Sequence, residues 1–568
     1  MPSDGLCKER ILSEEYMDFI IAEGREIPIA NADPNLLCKQ EIGFGYECVY
    51  LPRTLAEPIT MERYSYNEMP LCYTFLGMEA LNQAGIFAIQ NYPTLQLKGE
   101  GVMIGFIDSG IDYMNPIFRN EDGTTRIAGI WDQTVQSGNA PEGFCYGSAY
   151  TQEQINEALQ SDQPQEVVPS IDEIGHGTYM ASVACGGEDV SNQFLGAAPK
   201  ATIGVVKLKP AKQYLKEFYF IREDANCFQE NDIMLGMRYL HLLAEQKGLP
   251  LVYCLALGSN MGGHSGSTPF PSLIQQYANT INRIAVTGVG NEANQRHHFL
   301  GKIQQAGETQ NVDIRVGADC IGFAMELWTN IPNVLSIAIV SPSGESTNMI
   351  SLRGGMHTEF HFLLDRTTVF LDYRFATDRT TSELIALRFQ EPTPGIWQLQ
   401  VQGNQVSDGV FNIWLPVTEF LTSEVHFLES NPYTTITTPG EVEESITAAY
   451  YDGVNQSIGI SSGRGFTRNN RIKPDFAAPG VNVLGVLPGN KFVSRTGSSA
   501  ATGIAAGAVT LLMEWVIYQQ MNPVATVQGL KSLLILGAQR KDGEEYPSRE
   551  WGYGTLDLYN VFDRIRRF

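Results

Sequence analysis

Short apolar runs alternate with helix-like segments along most of the chain from about Gly101 onward. The apolar runs at 102–107 and 202–206 have the pattern of buried strands, and 233–243 has the pattern of a helix. This alternation predicts a parallel sheet covered by helices. Because such sheets place their chemistry at the carboxyl ends of the strands, we expect the candidate functional residues there.

Residues 311–445 have a different pattern, in which strand-like segments follow one another without helices. Polar and apolar positions alternate in them, as in the row formed by Trp397, Leu399 and Val401. Period-two alternation of this kind is typical of a sheet with one buried and one open face. We therefore predict an antiparallel β-sandwich inserted into the α/β domain. Its clearest strands are predicted at 369–375, 395–401 and 410–415.

The N-terminal residues form a third predicted unit of the α+β type, with strand-like pieces at Tyr16–Ala22 and Glu47–Leu51. A turn-rich segment at 64–70 closes it, and the α/β pattern resumes near Ile446 after the insertion. The predicted organisation is an N-terminal domain, a first α/β part, the inserted sandwich and a second α/β part. Their boundaries are 1–73, 74–310, 311–445 and 446–568.

The length and charge of the chain indicate several domains and exclude some classes of function. A chain of 568 residues exceeds the about 250–300 residues of a single core, so several domains are expected. With 39 basic and 63 acidic residues the formal net charge is −24. Such a surface repels phosphate backbones, so nucleic-acid binding is not expected. No apolar run reaches the roughly 18 residues of a membrane helix, so no membrane partner is expected either.

The start of the chain lacks the basic flank and apolar run of a classical signal peptide, and the expected location is cytoplasmic. The nine cysteines lie between Cys7 and Cys320 without any C-x-x-C spacing. We expect free thiols rather than a disulfide framework or a zinc site. No metal and no cofactor are predicted.

Three short segments carry candidate chemistry. Asp108 ends an apolar strand within 104–112, His176 lies between two glycines before an apolar helix, and Ser499 begins a helix rich in small residues within 496–507. Taken singly, each has an ordinary explanation as a turn aspartate, a structural histidine or a helix N-cap. Their order along the chain, Asp, His, Ser, is one of the known orders of a catalytic triad.

In this order the three segments resemble the active-site motifs of the subtilisin-like serine peptidases, or subtilases. Three further segments resemble conserved pieces of that family: 194–199, 473–480 and 552–554. The resemblance implies a subtilisin-like fold and a serine endopeptidase. It also implies that Ser499 is the nucleophile, His176 the general base and Asp108 the residue that orients the base.

The family resemblance also implies the binding residues. Asn291, which follows an apolar strand, takes the place of the oxyanion asparagine. Ala256, Leu257 and Gly258 take the place of the strand that pairs with an extended peptide, and together with Gly290 they would line the S1 pocket.

Two departures from the subtilase pattern matter. Ser498 stands where threonine is usual, and Gly503 stands where proline is usual. Together they leave open two alternatives, that Ser498 is the reactive serine or that the site is weakened.

In the position of the insertion and in the presence of an N-terminal unit, the chain resembles the Csp peptidases of spore-forming Clostridia. This implies a prodomain, a jelly-roll insertion, and activation of a spore cortex-lytic zymogen by limited proteolysis, with a cytoplasmic or spore-associated location. The implied partners are a protein substrate and the prodomain itself as a bound inhibitor. One alternative is a pseudoprotease that acts as a germination sensor or scaffold, and another is an intracellular subtilase unconnected with spores.

Self-processing is expected between Tyr73 and Thr74. Residues 74–85 resemble the helix that precedes the aspartate strand in subtilases, so the cut must precede them. Met69 suits the P1 position poorly because Pro70 would supply a leaving nitrogen without a hydrogen. Tyr73 offers the largest side chain of those that remain for an S1 pocket.

Overall fold

The computed structural model of the chain describes residues 4–22, 38–61, 63–75, 83–352, 354–375 and 381–567. They form an N-terminal unit, an α/β unit with the parallel sheet, and a two-sheet β unit inserted into the α/β unit. The predicted class, a parallel sheet flanked by helices, is confirmed.

The N-terminal unit is built on a three-stranded antiparallel sheet in the order β1-β3-β2. Both predicted strands are present, and the second begins and ends one residue outside the predicted range. The elements are α1 (Asp4–Leu12), β1 (Tyr16–Ala22), β2 (Cys38–Gly43), β3 (Tyr46–Pro52) and α2 (Arg53–Ala56).

One disulfide links Cys7 of α1 to Cys38 of β2, so the expectation of free thiols is wrong for this pair. The fold brings their Cα atoms to 5.4 Å from each other, within the range that a disulfide requires. The other seven cysteines are free thiols, and Cys145 is the one among them that is not buried. Sequence spacing could not reveal the pair because the N-terminal sheet creates the contact.

A short strand, β4 (Cys72–Phe75), leaves the N-terminal unit and pairs with two strands of the α/β unit. These are β9 (Phe228–Gln229) and β11 (Leu257–Gly258), and the order of this three-stranded sheet is β11-β4-β9. Thr74 and Phe75 therefore lie in a strand and do not begin the predicted helix. Residues 76–82 of that prediction lie outside the described residues.

The α/β unit contains a nine-stranded sheet with the order β24-β23-β12-β10-β5-β8-β6-β7, and β25 also pairs with β23. Its central neighbours run parallel, whereas β7 and β24 are antiparallel edge strands. The strands are β5 (Met103–Asp108), β6 (Ile127–Asp132), β7 (Ser148–Thr151), β8 (Thr202–Lys207), β10 (Leu251–Leu255), β12 (Arg283–Gly288), β23 (Ile446–Asp452), β24 (Ser457–Ile458) and β25 (Phe476–Pro479). A separate hairpin consists of β26 (Val483–Leu487) and β27 (Lys491–Arg495).

Helices connect these strands and cover the sheet. They are α3 (Ile86–Gln90), α4 (Gln152–Gln160), α5 (Pro164–Val167), α6 (His176–Cys185), α7 (Gln213–Tyr219), α8 (Glu230–Lys247), α9 (Pro269–Ala278), α10 (Ser498–Glu514), α11 (Val527–Gly537) and α12 (Leu558–Ile565). Short 3-10 turns occur at Pro116–Phe118 and Thr418–Phe420.

Helix α10, with its extension to Gln519, is the described helix whose length and apolar composition would suffice to cross a membrane. Within the protein, 83% of its most apolar segment is buried. Small side chains allow this burial, since a Cβ at Gly507 would lie 2.2 Å from the Cβ of Ala197. The helix is packed as a core helix of the α/β unit.

The inserted unit consists of a six-stranded and a four-stranded antiparallel sheet that enclose a separate apolar core. The strand orders are β13-β21-β15-β19-β18-β17 and β16-β20-β14-β22. The strands are β13 (His298–Lys302), β14 (Thr309–Val316), β15 (Gly322–Asn330), β16 (Val334–Val340), β17 (His357–Phe362), β18 (Thr367–Arg374), β19 (Ser382–Gln390), β20 (Gly395–Gln405), β21 (Val410–Trp414) and β22 (Val425–Phe427). The sandwich thus begins before residue 311, because β13 pairs with β21.

The two faces of the sandwich sheets differ in burial. On β20 the predicted row of Trp397, Leu399 and Val401 is buried and alternates with half-buried or exposed residues. Strands β15 and β19 are buried on both faces, because the six-stranded sheet also packs against the rest of the protein. Trp328 and Trp414 on its outer face join the apolar core formed by the N-terminal unit and the α/β unit.

Candidate active site

The three candidate catalytic residues meet at the carboxyl edge of the parallel sheet. Asp108 is the last residue of β5, His176 is the first residue of α6, and Ser499 lies in the first turn of α10. Parallel strands end at the same edge of a sheet, and helices that return to them begin nearby. The fold therefore joins three residues that are far apart in sequence.

Their side chains form a continuous hydrogen-bonded chain. His176 Nδ1 lies 2.8 Å from both carboxylate oxygens of Asp108, and His176 Nε2 lies 3.2 Å from Ser499 Oγ. An Nδ1–H that donates to Asp108 leaves the lone pair of Nε2 facing the serine hydroxyl. This is the arrangement in which a histidine can take the proton of a serine nucleophile.

All three side chains are buried, with exposed fractions of 2% for Asp108, 5% for His176 and 0% for Ser499. Burial raises the pKa of the Asp108 carboxyl above its usual value, and the attraction of His176 opposes that rise. The backbone N–H of Ser109 also donates to Asp108 Oδ1 at 2.7 Å. The carboxylate is thus held by hydrogen bonds in a site that excludes water.

Glycine is required on each side of His176, at positions 175 and 177, for a different structural reason. Gly175 is the N-cap of α6 with φ +80°, in the left-handed region that favours glycine. A Cβ at Gly177 would lie 2.1 Å from the carbonyl oxygen of Gly110. The close approach lets the start of α6 lie directly against the turn that follows Asp108.

Asp172 is a functional residue that the sequence analysis missed. Its Oδ1 accepts hydrogen bonds from Ser109 Oγ at 2.7 Å and from the Gly175 N–H at 2.8 Å. Its Oδ2 accepts from Thr178, from the backbone N–H at 2.8 Å and from Oγ1 at 2.7 Å. The buried carboxylate thus connects the turn after Asp108 to the start of the helix that carries His176. Its position four residues before the histidine was the available signal.

The neighbouring hydroxyls of Ser498 and Ser499 have different partners. Ser498 Oγ accepts the backbone N–H of Gly290 at 3.0 Å, whereas Ser499 Oγ lies beside His176 and 3.4 Å from the carbonyl oxygen of Ala256. The geometry therefore makes Ser499 the candidate nucleophile and gives Ser498 a structural role. Gly503, at the usual proline position, packs against α6, since a Cβ there would lie 3.1 Å from Val183.

Asn291 lies beside the start of α10 and is oriented by Ser498, the residue before the candidate nucleophile. Its side-chain Oδ1 accepts the backbone N–H of Ser498 at 3.0 Å, which leaves the Nδ2 group as the available donor. The Ser499 N–H belongs to the first turn of α10, where N–H groups have no acceptor within the helix. These two donors are suited to hold an oxyanion that forms at the carbon attacked by Ser499.

The groove beside the triad contains the backbone of the chain's own strand β4. Thr74 pairs with Gly258 and Phe75 with Leu257, while Cys72 and Tyr73 pair with Gln229 and Phe228 on the other side. An extended segment added between two strands is how a peptidase groove holds a peptide. Strand β9, which forms the other side of the groove opposite β11, was not predicted from the sequence.

The predicted processing residues Tyr73 and Thr74 both lie within this strand, and their side chains lie outside the described residues. Gly290, predicted for the S1 pocket, is positioned beside Ser498. In the described part of the chain, no group of three or more His, Cys, Asp or Glu side chains is arranged to hold a metal ion.

We predict that Asn291→Ala lowers kcat for peptide hydrolysis by about 10²–10³ and changes KM little, because the lost amide acts on the oxyanion. Steady-state kinetics measure both constants. The matched control is Asn294→Ala, an exposed asparagine three positions along, which should keep the wild-type rate. An unchanged kcat in Asn291→Ala would remove the residue from the oxyanion site.

We predict that Asp172→Asn lowers kcat by about 10- to 100-fold, because small displacements of the reacting groups are costly. It should also lower the free energy of unfolding by about 1–3 kcal/mol, since the amide nitrogen replaces an oxygen that accepts two buried hydrogen bonds. Kinetics and denaturant unfolding are the measurements. The exposed Asp162→Asn is the control, and equal behaviour of the two variants would contradict a positioning role for Asp172.

Comparisons with known proteins agree with this geometry. The model of the subtilase family matches residues 99–351 and 403–554. The subtilisin-like protease SBT2.3 of Arabidopsis thaliana is 24% identical over 541 residues, which cover 82% of this chain and 61% of that protein. The serine protease AprX of Bacillus subtilis is 30% identical over 146 residues, which cover 22% of this chain and 31% of that protein. The chain thus spans less than two thirds of either of these relatives.

The solved structure of the Clostridium perfringens CspB protease is similar over most of both chains. The TM-score is 0.76 at 29% sequence identity, and the match covers 86% of this chain and 98% of that one. The family match includes the strand that ends in Asp108 and the helices that carry His176 and Ser499. Since it extends over more than half of the residues, the chain belongs to the subtilase family of serine proteases.

Proposed function

We propose that this protein is a serine endopeptidase that first cuts its own chain and then a protein substrate. The observation that carries the proposal is the hydrogen-bonded chain from Asp108 through His176 to Ser499, beside a groove that holds an extended strand. Nucleophile, base and peptide-binding strands lie together in one site, as hydrolysis of a peptide bond requires.

The geometry performs acyl transfer in two steps. His176 Nε2 takes the Ser499 hydroxyl proton as Oγ attacks the scissile carbonyl carbon, and Asp108 stabilises the imidazolium that forms. The Asn291 amide and the Ser499 N–H hold the oxyanion. His176 then gives the proton to the leaving nitrogen, the C–N bond breaks, and an acyl-enzyme remains. Water attacks the ester by the same route and releases the acid and the free serine.

The register of β4 supports self-processing at a bond beyond Phe75. Ser499 Oγ lies 3.4 Å from the carbonyl oxygen of Ala256, the residue that precedes Leu257. Because Thr74 pairs with Gly258 and Phe75 with Leu257 in an antiparallel register, β4 runs toward Ala256 at its Phe75 end. Tyr73 instead pairs with β9. The geometry therefore favours a cut on the carboxyl side of Phe75 over the expected cut between Tyr73 and Thr74.

Retention of the N-terminal unit as a bound inhibitor is supported by a buried charge at its interface. Asp18 of β1 is fully buried, and its Oδ1 lies 2.5 Å from Lys212 Nζ. Its Oδ2 accepts from the side chains of Gln229 at 2.7 Å and Asn231 at 3.2 Å. Truncation of one partner of a buried, hydrogen-bonded charge pair at an interface typically speeds dissociation and costs about 2–5 kcal/mol.

The similarity to the CspB protease supports limited proteolysis of a protein substrate as the role of the processed enzyme. The expected cortex-lytic zymogen and the cytoplasmic or spore-associated location are part of this proposal. Incubation of the purified protein with a candidate zymogen, followed by sequencing of the product termini, tests the substrate.

We predict that a fluorophosphonate probe forms one covalent adduct on the wild-type chain and on Ser498→Ala once the chain is cut and the N-terminal fragment is removed, but none on Ser499→Ala. The reason is that the probe reacts with a serine only when its base and oxyanion donors are in place. Intact-mass analysis and peptide mapping locate the adduct. A wild-type chain that stays unlabelled after the N-terminal unit has been removed would favour the alternative role of a non-catalytic germination sensor or scaffold.

We predict that purified wild-type protein is cut once and that its larger fragment begins at residue 76 or 77, while Ser499→Ala stays intact. Mass spectrometry and amino-terminal sequencing check both points. An uncut wild-type chain, or equal cutting of both chains, would contradict self-processing. A fragment that begins at Thr74 would instead support the cut between Tyr73 and Thr74.

A further inference from the structure

A tyrosine of the N-terminal unit reaches the inserted sandwich. Tyr66 lies in the turn-rich segment that follows α2, and its hydroxyl donates to Glu326 of β15, at 2.7 Å from Oε1 and 2.8 Å from Oε2. Its ring meets the ring of Trp328 edge to face, with the centroids 5.4 Å apart. The sandwich therefore contacts the N-terminal unit through a polar bond and an aromatic pair.

The carboxylate of Glu326 is buried, with 1% of the residue exposed. Besides the Tyr66 hydroxyl it accepts Trp328 Nε1 and the backbone N–H of Gly262, each at 3.0 Å from Oε2. A buried carboxylate requires such donors because burial removes its hydration. Of the three, only the Tyr66 hydroxyl comes from the N-terminal unit and would leave with it.

The remaining walls of this pocket are fixed by the rest of the protein. Gly262 follows β11, and the next carbonyl, that of Gly263, accepts Arg468 Nε at 2.6 Å. The same guanidinium donates to Asn330 and Ser382 of the sandwich, both at 2.7 Å. The pocket is thus built from the sandwich and the loop after β11, and it does not need Tyr66 for its own support.

Downstream of Tyr66 the chain is held continuously up to the active site. The backbone of Leu71 exchanges hydrogen bonds with Glu230, whose N–H donates to its carbonyl oxygen at 2.9 Å and whose Oε2 accepts its N–H at 3.2 Å. Strand β4 follows immediately in the groove. Tyr66 therefore lies at the upstream end of a segment that leads into the groove occupied by β4.

We propose that the pocket formed by Glu326, Trp328 and Gly262 is the binding site through which the inserted sandwich retains the N-terminal unit after the chain is cut. This inference rests on the retention proposed above and assigns to the sandwich a part in it. The ligand is a tyrosine side chain, recognised by its phenol hydrogen and by its ring.

The matched control lies two residues away. Tyr64 is also a buried tyrosine of the N-terminal unit, but its hydroxyl donates to the carbonyl oxygen of Ala56 within the same unit, at 2.8 Å. Tyr64→Phe and Tyr66→Phe thus each remove one buried hydroxyl from the same segment. Only the second removes a bond to the sandwich.

The experiment measures the rate at which the N-terminal fragment leaves the processed protein, by dilution and size separation over time. A hydrogen bond to a charged group contributes about 1.5–3 kcal/mol. We therefore expect release from Tyr66→Phe to be about 10- to 100-fold faster than from wild type. Tyr64→Phe should release its fragment at the wild-type rate. Equal rates for the two variants would overturn the proposal.

A double-mutant cycle tests the partner. Glu326→Gln should also speed release, because the phenol hydrogen then meets a neutral amide in place of a carboxylate. In the Tyr66→Phe background the same change should have little further effect, because the phenol that the carboxylate binds is absent. Fully additive effects would overturn the pairing.

A second arm makes the test independent of peptidase activity. In Ser499→Ala, residues 77–82 are replaced by the recognition sequence of an added site-specific protease, which then makes the cut. Failure of wild type to cut itself would contradict the proposed function, and this arm would still decide the role of Tyr66.

Discussion

The parallel hydrogen bonding of β5, β10 and β12 is the constraint on which the site depends. Because these neighbours run in one direction, their carboxyl ends place Asp108, the start of β11 and the segment with Asn291 at one edge of the sheet. Helices α6 and α10 begin at the same edge and add His176 and Ser499. Reversal of any one strand would take its residue to the opposite edge, out of reach of the others.

Pairing of an added strand is the second organising interaction. Strands β9 and β11 are each two residues long and leave a gap that a single extended segment fills with backbone hydrogen bonds on both sides. Backbone pairing does not depend on side-chain identity, so the same gap suits the chain's own segment and a substrate. Because β4 occupies the groove and Ser499 is completely buried, another peptide can enter the groove only after β4 leaves it.

The inserted sandwich has an interior core of its own, yet its outer face belongs to a core shared with the other units. Trp328 and Trp414 belong to the same apolar cluster as residues of the N-terminal unit and of helices α8 and α9, and Trp328 contacts Tyr66. His264, in the loop after β11, stacks on Trp414 with a centroid distance of 4.1 Å. The insertion therefore supports the loop that follows β11, although it contributes no side chain to the triad.

The amino-acid sequence by itself determined the α/β class, the strand row of Trp397, Leu399 and Val401, and the identity of Asp108, His176 and Ser499 as candidates. These are encoded locally, in hydrophobic periodicity and in short motifs whose residue types carry the chemistry. Only the tertiary structure decided that Ser499 and not Ser498 faces the histidine, because neighbouring residues on one helix turn differ in direction and not in composition. The fold likewise decided three other contacts: the Cys7–Cys38 disulfide, the hydrogen bonds of Asp172 and the contact of Tyr66 with Glu326. Tyr66 and Glu326 are 260 positions apart in sequence, and the two cysteines of the disulfide are 31 positions apart. The proximity of each pair depends on packing between separate elements, which a local sequence pattern does not predict.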